Sequence, residues 1–403
     1  MHFWLKRGAC GYRMDVINLI SKVQTFPDAD PVLPDHKYQS GGNYYVNGPR
    51  MHEYLKEINR KVLSKYDAIT VGEMPGVSDI DEVLRSVNSK AGELNMIFIF
   101  DIVNVDNVPG QFRFTLQGWS LQDMRGIINK WQRAMIERDG WNTVFVENHD
   151  NPRSVSRYAD DSDAFREHSA KLLALMQITL AGTLYVFQGE ELGMRNVPRS
   201  WDPETDYKDI EAINFWKKSK ALYGPDGTTP NSTKLDGART ILQRKARDHS
   251  RTPVQWTAGP NAGFCAEGVK PWMRVNEDCA TVNAEAQLLL QSHPYSGDQP
   301  SVYGFWQLCI ALRKKHKDVF VYGDFHIVDQ NHETVLAYTR TGEHGGTWIT
   351  VLNWCGEEAE FGLPDGLQVE EWVCGTYGAH SLDKEKKGKV CLGPWEGMLG
   401  RCR

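Results

Sequence analysis

Three carboxylates occupy positions from which a chain could do acid–base or nucleophilic chemistry: Asp15, Glu73 and Asp150. Asp15 follows Arg13 by two positions, which on an extended strand puts both side chains on one face. Glu73 follows Gly72 at the end of an apolar run, where burial raises a carboxyl pKa and keeps the group protonated. Asp150 comes directly after Asn148 and His149, in a polar cluster bounded by Pro152 and Arg153. Any one of these alone reads as a solvated loop acid; their company sets them apart. Two carboxylates in different environments can share the cleavage of a glycosidic bond. One attacks or activates water, the other protonates the departing oxygen, and a third can hold the distorted sugar. Residue types alone carry the reading as far as carboxylate chemistry at the mouth of an α/β barrel.

Short β-branched runs alternate with longer helical patterns through the first three quarters of the chain. Strands are expected over 11–16, 68–73, 96–100, 143–146 and 183–187, and helices over 48–62, 119–138 and 165–180. Continuous apolar strands between helices imply a parallel sheet buried on both faces, and in a parallel barrel the loops after the strands build the active site. Asp15, Glu73 and Asp150 all fall at such strand ends. From about 196 to 300 the chain becomes rich in Pro, Gly, Asn and Trp and reads as a long irregular region of the kind that wraps a site. A helix over 301–317 ends in Arg313-Lys314-Lys315-His316-Lys317, charges suited to a helix C-terminus. Strands alone follow, over 325–328, 335–338, 348–352, 359–361 and 369–373. The expected domains are 1–317, carrying the barrel strands, and 318–403, a small antiparallel β-sandwich.

The 403 residues carry 52 acidic and 46 basic side chains, a formal charge of −6, and 41% are hydrophobic. Length and composition assure a sizeable core. Mild acidity with no basic tract argues against nucleic acid or an anionic membrane as partner, and no apolar run reaches the length of a span. The eight cysteines are scattered without a CxxC pair, and no His cluster has ligand spacing, so no metal site or cofactor is expected and a disulfide framework is not implied. The start, MHFWLKRGACGYRMD, has no apolar stretch of signal-peptide length, so the sequon Asn231-Ser232-Thr233 carries no weight and the expected address is the cytoplasm. Thirteen tryptophans and fifteen tyrosines suit either packing or a sugar-binding cleft, and composition does not choose.

The stretches GYRMDVINLIS, ITVGE and FVENHDNPR resemble the second, third and fourth conserved stretches of glycoside hydrolase family 13, the α-amylase family. The resemblance continues through TLYVFQGEELGM, YKDIEAINFW, DHSRTPVQWT, NAGFC, VKPWMRVN and NAEAQ, and covers essentially the whole chain. Together these stretches look like the fungal α-glucosidase branch, which includes maltases, isomaltases and oligo-1,6-glucosidases. The resemblance implies a retaining double displacement on short oligosaccharides. It makes Asp15 the nucleophile, Glu73 the general acid/base and Asp150 the transition-state stabiliser gripping sugar hydroxyls. Arg13 would orient Asp15 and keep it ionised. His149 and Arg251 would touch the same sugar, and Glu211 would lie near the leaving sugar. Val16, directly after the nucleophile, resembles the residue found there in α-1,6-cleaving members, whereas strict maltases tend to carry Thr or Ala.

Family members begin with three further strands and a stretch of the DVVVNH type, which is absent here. The five strands above match strands four to eight, so the resemblance implies an incomplete (β/α)8 TIM barrel followed by the β domain. It also implies that Arg251 lacks its usual carboxylate partner and that this chain is weakly active or inactive. The three acids are expected in one pocket, with Asp15 and Glu73 roughly 5–6 Å apart. Other readings are a transglycosylase or sucrose isomerase using the same acids, although no arginine-rich isomerisation loop is evident, and a non-catalytic derivative.

Overall fold

The computed structural model describes residues 1–32, 37–108, 111, 113–289, 300–378, 385–386 and 388–403. It resolves into two compact units, each with its own core. The first comprises Met1–Asn104, Gly126–Val144 and Ala181–Thr183; the second comprises Val105–Arg125, Phe145–Leu180 and Leu184–Arg403.

The first unit is built on a parallel sheet of β1 (Gly11–Met14), β2 (Ile69–Glu73) and β3 (Met96–Phe98), in that order. Arg13 lies opposite Val71, and Glu73 opposite Phe98. β1 is shorter than expected because the chain turns at Asp15, and Val16 adopts φ 34°, ψ 46° before a short 3-10 turn, Ile17–Leu19. β4 (Thr143–Val144) pairs with β5 (Thr183–Leu184). Both stop short of their apolar runs. Among the described residues the strands do not close into a barrel.

The core of this unit is set by periodicity. The helix Met51–Lys61 turns Met51 and Leu55, four residues apart, completely inward. The helix Ile80–Val87 starts where Asp79 accepts the Glu82 N–H at 2.8 Å, and it buries Val83, Leu84 and Val87. They pack with Ile17, Leu94, Ile97, Trp131 and Met135. At Gly72 a Cβ would stand 2.8 Å from Leu94 and 2.9 Å from Ile17, so a larger residue would push these side chains aside where the turn after β1 closes over β2.

In the second unit the helix Arg166–Thr179 is buried on every face. Its last carbonyls, which no helix can satisfy internally, are taken by two buried guanidinium groups. Arg313 donates to the Leu180 oxygen at 2.7 Å and also to Ile178, and Arg340 donates to Thr179. Arg313 belongs to the helix Val302–Lys315, close to its expected bounds.

The stretch expected to be irregular, 196–300, is a correction. It contains two 14-residue helices, Ile210–Tyr223 and Ser232–Lys245, capped by the side chains of Asp209 and Asn231. They enclose a core of Val197, Trp201, Tyr207, Trp216, Leu242 and Met273. Positions 290–299 of that stretch lie outside the described residues.

After residue 323 the chain forms two antiparallel sheets. One is ordered β10-β13-β8-β7-β6, from β6 (Asp324–Ile327), β7 (Val335–Gly342), β8 (Gly346–Asn353), β10 (Val369–Gly375) and β13 (Gly397–Cys402). The other is β11-β12-β9, from β9 (Ala359–Gly362), β11 (Glu385–Lys386) and β12 (Lys389–Leu392). Val335, Ala337, Ile349, Val351, Phe361, Val390, Leu392 and Met398 form one buried cluster spanning both sheets. All eight cysteines are free thiols. Among the described residues no helix is long and apolar enough to cross a membrane.

Candidate active site

Arg13, Asp15, Val16 and Glu73 form one cluster at the carboxyl ends of β1 and β2. Arg13 forks between two carboxylates: it donates to Asp15, and its other terminal nitrogen lies 2.8 Å from Glu73 Oε2. The same Glu73 oxygen accepts the Val16 N–H at 3.1 Å. Left-handed backbone is uncommon for any non-glycine residue and an outlier for a β-branched one, so this turn is strained in order to aim that N–H. Behind it, buried Asn18 donates to the Pro75 carbonyl at 2.9 Å and to Asn47 at 3.1 Å, tying the loop after β1 to the loop after β2.

The two carboxyls have unequal surroundings. The Asp15 side chain is 74% exposed and that of Glu73 is 9%. Burial pushes the Glu73 carboxyl above the ordinary carboxylate range. The Val16 N–H and the Arg13 guanidinium pull it back, and the hydrogen bond and charge of Asp15 push it up again. Asp15 and Glu73 therefore share one guanidinium and act on each other electrostatically.

His149, Asp150, Glu211 and Arg251 belong to a second cluster, in the other unit. Asn148 shapes the turn by accepting the Asp150 N–H at 2.9 Å and the Asn151 amide at 2.8 Å. Arg157, at 3.0 Å, fixes the far side of Asn151. Arg251 is the centre of the cluster. Its Nε donates to the His149 carbonyl at 2.8 Å, and its terminal nitrogens donate to Asp150 at 2.8 Å and Asp209 at 3.0 Å. Whatever its usual partner in relatives, Arg251 here pairs with two carboxylates, Asp150 and Asp209. Arg247 adds ion pairs to Asp150 at 3.3 Å, Asp209 at 3.6 Å and Glu211 at 3.8 Å. Arg113 lies 3.5 Å from Glu211 and donates to the Asp150 carbonyl. His149 Nε2 stands 3.5 Å from Asp150.

Sequence reasoning missed Asn18, Arg113, Asp209 and Arg247. Asp209 had a readable signal, since Asp is a favoured N-cap and its Oδ1 accepts the Glu211 N–H at 2.9 Å. The arginines had none: Arg113 reaches the Asp150 carbonyl across 37 positions of sequence. Among the described residues no group of three or more His, Cys, Asp or Glu is arranged to hold a metal ion. Chemically, the first cluster supplies a proton donor beside an exposed carboxylate. The second supplies a carboxylate and guanidinium donors suited to hydroxyl groups.

The family described as "Alpha amylase, catalytic domain" matches residues 1–323. The chain is 41% identical over 380 residues to an α-glucosidase of Schizosaccharomyces pombe, covering 94% of this chain and 62% of that protein. It is 38% identical over 408 residues to an oligo-1,6-glucosidase of Parageobacillus thermoglucosidasius, covering 100% of this chain and 67% of the relative. The crystal structure of trehalose-6-phosphate hydrolase from Bacillus licheniformis superposes with a TM-score of 0.84 at 35% identity, covering 100% of this chain and 67% of that one. The chain therefore spans about two thirds of the length of these relatives.

Proposed function

From the premise that this chain belongs to the α-amylase family, we propose that it is a retaining α-glucosidase hydrolysing terminal α-linked glucose of short oligosaccharides in the cytoplasm. The observation that carries the reading is the unequal acid pair: buried Glu73, held toward its protonated form, against exposed Asp15, both on Arg13. In this reading the Asp15 carboxylate attacks the anomeric carbon while Glu73 gives its proton to the departing glycosidic oxygen. Glu73, now ionised, takes a proton from water, and the resulting hydroxide displaces Asp15 to release glucose with its configuration retained.

Asp150, His149 and Arg251 would bind sugar hydroxyls, and Glu211 the leaving sugar. β1–β5 would correspond to strands four to eight of the family barrel, within a catalytic domain over 1–317 followed by the β domain over 318–403. Hydrolysis of a chromogenic α-glucoside, with the product anomer read by proton NMR, tests the proposal. The α anomer should appear first; β-glucose as first product would end it. Val16 supports isomaltose-type α-1,6 cleavage, with maltose second. Val16→Thr should raise the maltose-to-isomaltose ratio by roughly 10- to 200-fold, and an unchanged ratio would refute the linkage preference while leaving the reaction class intact.

A further inference from the structure

The helix Met51–Lys61 presents an imidazole ring to two carboxylates that the reaction above does not use. His52 Nε2 stands 2.9 Å from Glu82 Oε1, and Nδ1 stands 3.0 and 2.8 Å from the two oxygens of Glu93. An ionised carboxylate only accepts hydrogen bonds, so both ring nitrogens must donate, and only the imidazolium does that. The side chains of His52, Glu82 and Glu93 are 12%, 21% and 1% exposed. Other charges around the ring are already engaged. Arg85 donates to Glu82 Oε2 at 2.9 Å, Arg50 pairs with Glu53, Lys61 with Glu57 and Arg138 with Asp81. Lys56 lines the open groove beside Glu93. The hydrogen bond to Glu93 raises the ring's pKa above the ordinary 6.5 against the opposing effect of burial, and Glu82 adds to the rise.

Beyond Glu82 the hydrogen bonds lead back to the acid pair. The Glu82 oxygen that faces His52 also accepts the Asn47 amide at 3.1 Å. Asn47 Oδ1 accepts the buried Asn18 amide at 3.1 Å, and the same Asn18 nitrogen donates to the Pro75 carbonyl at 2.9 Å. Asn18 lies two residues after Val16, and Pro75 two residues after Glu73. Asn47 is held on its main chain as well: its backbone is left-handed, φ 50°, and its N–H donates to the Asn18 carbonyl at 3.0 Å. A ring that loses one proton keeps only one donor. Glu93 retains it, because leaving a carboxylate sealed from water without a donor costs more than releasing Glu82, which keeps Arg85 and some solvent. Glu82 then faces a lone pair and shifts, together with the amide that it holds. We propose that charged His52 is a positioning residue for the acid pair, holding through Glu82, Asn47 and Asn18 the two loops that carry Asp15, Val16 and Glu73. It rests on the glucosidase reading and gives that site a pH dependence in addition to that of the acids themselves.

NMR titration of the full chain tests the relay without substrate. The Asn18 side-chain amide should shift with the same midpoint as the His52 ring. Asn47→Ala should leave the ring's titration in place and abolish its echo at Asn18. An Asn18 amide that ignores the ring would overturn the proposal. Turnover of a chromogenic α-glucoside reads the consequence. His52→Gln, which carries an amide and no charge, should lower kcat by about tenfold near pH 6 and change KM by less than about twofold. The gap should close as pH rises through the ring's titration, where the parent loses the same contact. A gap constant with pH would show a purely structural role and would overturn the proposal. Urea unfolding carries the same sign. The raised pKa stabilises the parent fully below about pH 6.5 and ceases to as pH rises through it, so the midpoints of parent and His52→Gln should draw together. If His52→Gln does not fold, the parent and Asn47→Ala decide by NMR alone. Turnover without coupling at Asn18 sinks the relay and keeps the glucosidase reading; coupling at Asn18 without turnover leaves the relay standing.

Discussion

The cluster around Glu73 and the cluster around Asp150 are held in different ways. Glu73 is aimed by a main-chain N–H from a valine at φ 34° and by one guanidinium. Asp150 has its carboxylate paired with Arg247 and Arg251 and its carbonyl bound by Arg113, while no non-glycine residue from 145 to 155 has positive φ. The first arrangement stores its precision in backbone geometry. The second stores it in mutual charge, which is adjustable, partly exposed and screened by salt. A proton donor needs a fixed distance to one oxygen, whereas a group that grips several hydroxyls benefits from adjustable partners.

The largest expected effect tests the first cluster. Glu73→Gln keeps the shape and the Val16 contact but cannot deliver a proton, so kcat should fall by about 10²–10⁴-fold. The loss should shrink steadily as the leaving group of an aryl α-glucoside becomes more acidic, because such groups depart without help. A loss independent of leaving-group acidity would show that Glu73 is not the acid.

The next effect separates the clusters by pH. The 3-10 turn Arg247–Ser250, which carries Arg247, is anchored by His249, fully buried with Nδ1 accepting the Val197 N–H at 3.2 Å and Nε2 against the Leu242 carbonyl at 3.0 Å. Burial depresses its pKa to about 4. The unfolded chain then takes up a proton below about pH 6.5 that the folded one refuses, so stability falls between about pH 6.5 and 4, by up to about 3 kcal/mol. Glu190, buried and raised to about 8, acts in the opposite sense, losing stability as pH rises from about 4.5 toward 8. Urea unfolding of the parent and of His249→Gln across pH 4–7 isolates the histidine. Parallel curves would refute its role.

These contrasts also explain what could be read beforehand. β2, β3 and the helices Leu121–Glu137 and Arg166–Thr179 were legible because each buries an apolar run or face, and the helix Met51–Lys61 because its apolar residues recur at helical spacing. The helices Ile210–Tyr223 and Ser232–Lys245 were not: each buries only three residues, Ala212, Trp216 and Ser219 in one, and Ala238, Leu242 and Lys245 in the other. So thin a stripe, among Pro, Gly and Asn, gives little periodic signal. The Glu73 cluster was foreseen because its donors sit on adjacent strand ends. The arginine network was not, because its members meet only through tertiary folding.

A smaller effect probes the charge network. Arg251→Gln removes two charge-assisted bonds and leaves Asp209, only 6% exposed, with Arg247 at 3.6 Å. Because Arg251 itself is 37% exposed, the cost should lie near the lower end of about 1.5–3 kcal/mol. It should diminish in high salt, read as a smaller gap in denaturation midpoint between parent and variant. A salt-independent gap would place the effect in packing.

The smallest effect comes from relieving the strained turn. Left-handed backbone at a β-branched residue costs of order 1–3 kcal/mol, and glycine adopts it freely but adds about 0.5–1 kcal/mol of unfolded-state entropy to be lost on folding. Val16 is only partly buried, so little packing is forfeited. Val16→Gly should therefore be more stable by about 0.5–1 kcal/mol, a rise of about 1–4 °C in melting temperature. The same change frees the N–H that now holds Glu73 at 3.1 Å, so kcat on a chromogenic α-glucoside should fall while stability rises. Both readouts are needed, because each has an alternative cause alone. Higher stability with unchanged kcat would mean that the N–H is dispensable. Lower stability would mean that the turn is not strained, and would remove the main-chain half of the contrast with Asp150.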